Sequence, residues 1–192
     1  MPLYFLAFIV SVFSFQTSAQ ISLSNYSNYM GIELMKSTEA QLFSTFTPME
    51  KTDILTEVDD VGYCFFSING IYVAFTIGPD KTVRTVEISN RALAVNCKEI
   101  NVKFPTCLEN ICLGQTRDHA QNAIGKTFTP VDYPPNSDLE AIFFEYFLPL
   151  NEQEVDKETD TAAVLIRHNI WSKFDARDVL YYLGALKEKD LS

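Results

Sequence analysis

The chain has 192 residues and a formal net charge of −10, from 15 Lys and Arg against 25 Asp and Glu. This acidity argues against binding to nucleic acid or to an anionic membrane surface, because both are bound through clustered Lys and Arg. A hydrophobic content of 47% and an aromatic content of 13% exclude wholesale disorder. The length accommodates one domain or two small ones.

The N-terminal region predicts export. No charged residue precedes Glu33, and residues 3–15 form an apolar run shorter than the roughly 20 residues that span a bilayer. Thr17 and Ala19 stand at the −3 and −1 positions of an export cleavage site. We therefore expect residues 1–19 to be a signal peptide, no transmembrane segment in the mature form, and a periplasmic or secreted location. An uncleaved anchor or a buried N-terminal strand is the alternative.

The mature part contains four cysteines: Cys64, Cys97, Cys107 and Cys112. Exported proteins meet oxidising conditions, so this even number predicts two disulfides, for which three pairings are possible. We expect one bridge within the segment that contains the last three cysteines and another that ties it to the strand around Cys64. Four buried thiols are the alternative. No Cys-x-x-Cys occurs, and neither His119 nor His168 has ligand spacing to a cysteine, so no metal site is predicted.

The mature chain also resembles itself at an offset of 79 residues. The matching segments are 31–37 with 110–116, 63–68 with 142–147, and 82–90 with 161–169. A Thr-Phe-Thr-Pro segment at 45–48 recurs at 127–130. These matches predict an α+β fold of two tandem divergent units, 20–96 and 97–192, each a short helical segment packed on an antiparallel β-meander. Chance similarity between amphipathic segments is the alternative.

The elements of the first unit follow from local patterns. The expected elements are a helix over 38–46, a polar connection over 51–60, and strands over 62–68, 71–77 and 82–88. Ser37 is the expected N-cap of the helix. Asn69-Gly70 predicts a type I′ turn between the first two strands, because both residues tolerate a positive φ angle.

The second unit is expected to follow the same order with a helix added at its end. The expected elements are a helix from Thr116 to Gly125, a loop over 130–138, strands over 139–148 and 161–169, and a C-terminal helix. Asp175 is the expected cap of that last helix, whose apolar face would carry Val179, Leu180, Leu183 and Leu186. Trp171 is expected to pack against it, and His168 to be solvated at a strand end.

The segment from Leu113 to Gly125 resembles the opening of outer-membrane assembly lipoproteins of the SmpA/OmlA type. Their pattern is an apolar residue, Gly, any residue and Thr, followed by apolar residues four and eight positions after the Thr and then Gly. The matching residues here are Gly114, Thr116, Ala120, Ile124 and Gly125. Two tandem units with disulfides also resemble the β-lactamase inhibitor protein-like superfamily. These resemblances imply antiparallel strands after the helix, and a role in envelope assembly or in protein inhibition.

No sequence motif indicates catalysis. The chain lacks a Gly-x-Ser-x-Gly elbow, a His-Glu-x-x-His motif, a phosphate-binding loop and Gly-x-Gly-x-x-Gly, so no cofactor is predicted. A Cys112–His119 pair is disfavoured, because a nucleophilic cysteine must be a free thiolate and Cys112 is expected to be oxidised. We expect a non-enzymatic protein, with an enzyme site formed only in three dimensions as the alternative.

Two segments are candidate contacts for another protein. The first, 128–138, contains Phe128 and Tyr133 beside prolines, which reduce the cost of ordering a loop. The second is acidic and contains Glu152, Glu154, Asp156, Glu158 and Asp160. Its charge predicts steering of a basic partner, with a solvated connection as the alternative.

We therefore expect an exported, disulfide-bonded protein-binding module of the bacterial envelope that binds a basic protein, for example as an inhibitor or immunity protein. A structural accessory protein of envelope assembly is the alternative function.

Overall fold

The structure is a computed structural model that describes residues 27–46, 60–94, 96–131, 138–149 and 163–189. Its strands are β1 (Asn28–Tyr29), β2 (Ile32–Glu33), β3 (Val61–Ser67), β4 (Tyr72–Ile77), β5 (Val83–Ser89), β6 (Lys98–Ile100), β7 (Cys107–Leu108), β8 (Ile111–Cys112), β9 (Thr129–Pro130), β10 (Glu140–Pro149), β11 (Ala163–Phe174) and β12 (Leu180–Lys189). Its helices are α1 (Glu39–Thr45) and α2 (Arg117–Ile124).

The described chain is mostly β, and eight of its strands form one continuous sheet in the order β6-β3-β4-β5-β12-β11-β10-β9. The expected α+β fold of two tandem helix-on-meander units is therefore wrong. The physical reason is the pairing of β5 with β12, from Thr85 opposite Leu186 to Ser89 opposite Tyr182. This antiparallel pairing satisfies backbone groups that two separate meanders would leave open at their edges.

The two ends of the sheet are built from very short strands. At one end, β6 pairs with β3 in parallel through three residue pairs. At the other end, β9 pairs only with Glu140 and Ala141 of β10. Farther along β10, the Lys126 ammonium donates a hydrogen bond to the Phe143 carbonyl at 3.2 Å.

Both helices pack on the same face of the sheet. Leu42 of α1 and Ala120 and Ile124 of α2 are fully buried and belong to one hydrophobic core. The strands contribute Phe65, Val73, Phe75, Ile88, Ile170 and Leu183 to this core. The two short hairpins, β1-β2 and β7-β8, also place apolar side chains in it.

The helix ends are formed by local hydrogen bonds. The N-cap of α1 is Thr38 rather than the expected Ser37, and the Gln41 side chain accepts a hydrogen bond from the Thr38 N–H in a reciprocal capping box. The predicted caps of α2 are confirmed. Thr116 accepts a hydrogen bond from the His119 N–H, and Gly125 ends the helix with a φ angle of 72°.

The chain approaches both helices in the same way. The Met35 N–H donates to the Val83 carbonyl at 2.7 Å, and the Gly114 N–H donates to the Leu180 carbonyl at 2.8 Å. The residue that binds the chain ahead of α1 begins β5, and the one that binds the chain ahead of α2 begins β12, so β12 is the counterpart of β5. The sequence alignment instead places residues 82–90 opposite 161–169, which overlap β11, and that alignment is therefore wrong.

The predicted C-terminal helix is also wrong, because the chain forms a turn and then strand β12. The Asp175 carboxylate caps the turn by accepting hydrogen bonds from the Arg177 N–H at 2.9 Å and from the Val179 N–H at 3.1 Å. Tyr181 is skipped in the pairing of β12 with β11, which shifts the strand alternation by one residue. Leu180 and Leu183 lie on either side of this shift and are three residues apart, which is also the spacing of residues on one face of a helix.

The turn between β3 and β4 differs from the expected type I′. It is a three-residue loop in which the Gly70 N–H donates to the Ser67 carbonyl at 3.0 Å and the Ser67 N–H donates to the Ile71 carbonyl at 2.9 Å. Gly70 has a φ angle of 77°, whereas Asn69 does not adopt a positive φ. Such a loop needs only one left-handed residue.

The two predicted disulfides are present, and all four cysteines are paired. Cys64 of β3 is bonded to Cys97, which precedes β6. Cys107 is bonded to Cys112 across the β7-β8 hairpin. One bridge therefore lies within the segment of three cysteines and the other ties that segment to β3, as expected.

Candidate functional site

The face of the sheet opposite the helices is here called the outer face. Side chains alternate along a strand, so the pairing register determines which of them share this face. Glu87 of β5 lies between Ala74 of β4 and Gly184 of β12, and Gly184 lies beside Trp171 of β11. None of these residues belongs to the core cluster that includes the helices, although Ala74 and Gly184 are themselves buried. They form a row across the four central strands of the outer face.

A second row runs beside the first. Its members, in strand order from β3 to β11, are Phe66, Tyr72, Ser89, Tyr182 and Lys173. The rings of Phe66 and Tyr72 lie 4.6 Å apart. Toward the far side, Phe143 of β10 is 52% exposed. The outer face therefore combines small residues with aromatic side chains, which are enriched at protein-binding hot spots.

Gly184 marks the point where three of these side chains meet. A β-carbon at this position would lie 3.3 Å from Glu87 Cγ, 3.3 Å from the Tyr182 hydroxyl oxygen and 3.5 Å from Trp171 Cε3. A residue with a side chain would therefore press on Glu87 and Tyr182 and would contact Trp171. The glycine allows Glu87, Tyr182 and Trp171 to converge at the centre of the outer face.

The Glu87 carboxyl group has an unusual electrostatic environment. Burial raises its pKa to about 7, because a charged carboxylate is poorly solvated there, although a hydrogen bond with Tyr182 and the charge of Lys173 act in the opposite direction. Burial and the neighbouring Glu87 hold the Tyr182 pKa well above its ordinary value. Glu87 nevertheless keeps part of its surface accessible to solvent.

The charges next to Glu87 are paired with one another. The Lys173 ammonium lies 2.8 Å from the Asp138 carboxylate, to which the Tyr181 hydroxyl donates a hydrogen bond at 2.5 Å. These two contacts lower the pKa of Asp138. The Arg91 guanidinium lies 3.7 Å from the centre of the Tyr181 ring. This network engages Lys173, whereas Glu87 forms no ion pair with any residue that the structure describes.

The residues predicted from sequence to contact a partner lie elsewhere. Phe128 is 4% exposed and its ring centre lies 5.6 Å from that of Phe174, so it packs in the core; that it contacts a partner stays a prediction. Tyr133 lies outside the described residues. So do the acidic residues Glu152, Glu154, Asp156, Glu158 and Asp160.

Two further expectations concerned β11. His168 was expected to be solvated, but it is fully buried because β11 continues to Phe174 and makes position 168 internal to the strand. Trp171 was expected to pack against a C-terminal helix, but it lies beside Gly184 of β12 on the outer face.

The central residues of the outer face gave only weak signals in the sequence. Glu87 is flanked by apolar residues in an alternating strand, which ordinarily indicates a solvated position. Tyr182 and Gly184 fell in a segment expected to be helical. Their convergence depends on the pairing of β5 with β12, which no local pattern specifies.

Comparison with known proteins gives no relative, since no family model, curated protein or solved structure matches this chain significantly. The resemblance to the SmpA/OmlA lipoproteins and to the β-lactamase inhibitor protein-like superfamily stays a prediction.

The structure also bears on a cysteine–histidine pair, on metal binding and on membrane-spanning helices. The disulfide between Cys107 and Cys112 removes the thiol that a Cys112–His119 pair would need. Within the described ranges, no group of three or more His, Cys, Asp or Glu side chains is placed to hold a metal ion. No helix in the same ranges has the length and apolar character needed to cross a membrane.

Proposed function

We propose that this chain is an exported protein-binding module of the bacterial envelope, and that the outer face of its sheet is the binding surface. The observation that carries the proposal is the distribution of elements around the sheet. Both helices and both short hairpins pack on one face, while the other carries the half-buried Trp171 and, on β10, Phe143, which is 52% exposed. Protein-binding surfaces commonly combine aromatic anchors with a polar surround in this way.

The partner of this module is a basic protein, such as an envelope-directed enzyme or toxin that the module inhibits. The chain carries a net charge of −10, which attracts and steers a positively charged partner. Two disulfides suit an extracytoplasmic location. The module acts by binding and carries out no reaction of its own.

The binding surface is tested by comparing two equally exposed apolar residues. Phe143 on the outer face is 52% exposed, and Ile68 in the turn after β3 is 53% exposed. We expect Phe143→Ser to weaken binding to basic periplasmic proteins by at least about fivefold, whereas Ile68→Ser leaves it unchanged. The measurement is quantitative capture on the immobilised mature protein at low and at high salt. Equal capture by the two variants would contradict the assignment of the surface.

Export is tested separately by the mass of the secreted protein. Expression in a bacterium with its full N-terminal sequence is expected to give a periplasmic species that starts at Gln20 and contains two disulfides. Intact-mass measurement with and without reductant checks both features. A species that retains residues 1–19 would contradict the proposed export signal.

A structural role in envelope assembly is a second candidate function. It is supported by α2, which begins at Thr116 and ends at Gly125 as the lipoprotein resemblance implies. A deletion strain is then expected to lose outer-membrane proteins and to become sensitive to detergent. Normal outer-membrane protein levels in that strain would exclude this role.

A further inference from the structure

The β7-β8 hairpin places a disulfide at the surface of the protein. Cys107 and Cys112 lie directly opposite each other in the hairpin, and both are half-buried. Thr106 and the turn residues Glu109 and Asn110 are exposed. A thiolate must reach a sulfur atom to attack a disulfide, so access governs this reaction. The surroundings of this bridge leave such access.

The other disulfide has a more protected position. Cys64 is 1% exposed and belongs to β3, which pairs with both β4 and β6. An attack on its half-buried partner, Cys97, would release the Cys64 thiolate, whose charge is poorly solvated in the interior. The two bridges therefore differ in their reactivity toward a thiol.

The β7-β8 hairpin is held in place by contacts other than its disulfide. The Leu113 N–H donates a hydrogen bond to the Thr106 carbonyl at 2.9 Å, and Leu108 and Ile111 are buried in the core. The bridge closes a loop with a sequence separation of 5. Breaking it therefore frees the unfolded chain less than breaking a bridge over a longer loop does.

A further set of hydrogen bonds ties the hairpin to α2. The Gln115 side chain accepts a hydrogen bond from the Cys112 N–H at 3.0 Å and donates one to the Asn110 carbonyl at 3.1 Å. The Asn110 side chain donates to the Ala123 carbonyl of α2 at 2.9 Å. None of these three hydrogen bonds involves a sulfur atom, so both oxidation states of the hairpin fit the same fold.

We propose that the Cys107–Cys112 bridge is a site of thiol–disulfide exchange, at which a dithiol reduces the bridge while the protein stays folded. The Thr106 hydroxyl lies 3.7 Å from Cys107 Sγ. A bridged sulfur carries no hydrogen, so the hydroxyl is the donor in this contact, and it stabilises the thiolate that forms when Cys107 leaves. The incoming thiolate accordingly bonds to Cys112. This site is independent of the binding surface proposed on the outer face.

The reaction transfers two electrons from the dithiol to the bridge. The first thiolate of the dithiol forms a bond to Cys112 Sγ, the bond between the two cysteines breaks, and its electron pair leaves on Cys107 Sγ. The second thiolate of the dithiol then attacks the first sulfur of the dithiol, which releases the Cys112 thiolate and leaves the dithiol as a disulfide. The two protons of the dithiol pass through solvent to the two cysteine thiolates. The reverse reaction, with an oxidised dithiol, restores the bridge.

Dithiothreitol tests the proposal on the oxidised mature protein without denaturant. Samples are quenched with iodoacetamide at timed intervals and mapped by peptide mass spectrometry, while the fluorescence of Trp171 reports whether the fold persists. We expect Cys107 and Cys112 to be labelled at least about tenfold faster than Cys64 and Cys97, with the fluorescence unchanged. Equal labelling rates for the two bridges, or labelling only after the native fluorescence is lost, would overturn the proposal.

Reduced thioredoxin, used in place of dithiothreitol, distinguishes the source of the dithiol. Reduction of the hairpin bridge by both reagents assigns the site to protein dithiols, and reduction by dithiothreitol alone assigns it to small dithiols.

Glutathione identifies the sulfur atom that is attacked, because a monothiol forms a mixed disulfide that iodoacetamide can trap. We expect glutathione on Cys112 and the iodoacetamide label on Cys107, and the opposite placement would contradict the role of Thr106.

A pair of valine variants measures the contribution of the Thr106 hydroxyl. Thr106→Val keeps the shape of the side chain and removes the hydroxyl, so it is expected to slow reduction of the hairpin bridge by about threefold or more. Thr45→Val is the matched control, since it removes an α1 hydroxyl that donates to the Gln41 carbonyl at 3.0 Å. We expect it to change the rate by less than about twofold. Equal rates for the two variants would show that Thr106 does not stabilise the leaving thiolate.

Discussion

Glu87 is the residue at which burial and ionisation conflict. Folding favours the protonated carboxyl group, since burial raises its pKa from an ordinary 4.5 to about 7. Ionisation of this carboxyl group at higher pH therefore costs the folded protein free energy.

This conflict gives the free energy of unfolding a defined pH dependence. The folded state holds the Glu87 proton more tightly than the unfolded state, so the contribution of Glu87 is fully present below pH 4.5 and is lost as the pH rises to about 7. Glu87→Gln cannot ionise and escapes this loss. We expect it to be more stable than the natural protein by about 1 to 3 kcal/mol at pH 8, and equally stable at pH 4.5.

Urea unfolding of both proteins at the two pH values measures this difference. Glu145→Gln serves as the control, because Glu145 is a well-solvated partner of Arg167 and its replacement is expected to change stability by less than about 1 kcal/mol. A stability difference for Glu87→Gln that did not change with pH would contradict the raised pKa.

At the residue scale, the sequence predicts what is decided locally. Thr116 and Gly125 are correctly expected at the ends of α2, because capping depends on residues within a few positions. His168 is wrongly expected to be solvated, and Phe128, a candidate partner contact, packs in the core. Their burial depends on how far β11 extends and on what packs against the chain after α2, which are not local properties.

Among the elements, the two disulfides are expected to differ in their effect on stability. Cys64–Cys97 closes a loop with a sequence separation of 33, whereas Cys107–Cys112 closes one of 5. A longer loop restricts the unfolded chain more. We expect Cys64→Ala/Cys97→Ala to lower the free energy of unfolding by about 1 to 2 kcal/mol more than Cys107→Ala/Cys112→Ala does, as measured by urea unfolding.

Packing must be separated from loop closure in that comparison, because Cys64 is buried in β3. Each variant keeps one bridge, and reducing that remaining bridge breaks its bond while its sulfur atoms stay in place, so the further loss of stability in reductant gives the loop-closure effect of that bridge. If the hairpin variant proved the less stable of the two, loop length would not govern the contribution of these bridges.

The elements also show where pattern reading fails. Leu180 and Leu183 have the spacing of a helix face, yet they lie in β12 between two other strands. The strand tolerates this pattern because the skipped Tyr181 shifts its alternation and because Gly184 and Ala185 are both buried. In contrast, β3 and β4 are read correctly from their alternation and from the Gly70 turn, since their pairing is local.

The continuous sheet predicts that the whole molecule unfolds differently from two separate units. Strands β5 and β12 come from opposite sides of the expected boundary at 96 and 97, and they pair through five residue pairs. Unfolding either side would expose the edge and the core of the other. We therefore expect one cooperative unfolding transition, with the fluorescence of Trp171 and the far-UV circular dichroism changing at the same denaturant concentration.

Native-state hydrogen exchange gives the matched test. Amides in the middle of β4 and of β11 are expected to exchange with the same free energy of opening, although they lie on opposite sides of that boundary. Two transitions, or a clearly lower opening free energy on one side, would show that the two segments fold separately.

The composition and the number of cysteines predict properties of the whole molecule better than they predict its candidate functional site. The even cysteine number predicts two bridges, and their general placement is confirmed. The sheet order is not predictable in this way, because Glu87 and Gly184 meet only after the long-range pairing of β5 with β12 has formed. The meeting of Glu87, Tyr182 and Trp171 around Gly184 is a product of that pairing.

The contact between Lys126 and β10 also bears on how this protein behaves at high concentration. An uncovered strand edge invites strands of other molecules to add to it, which is a common start of aggregation. Beyond the two positions covered by β9, the Lys126 ammonium binds the Phe143 carbonyl and places a positive charge at that edge. A newly arriving strand would have to displace this charge and leave it poorly solvated. The Lys126 charge at this edge therefore disfavours the addition of a strand from another molecule.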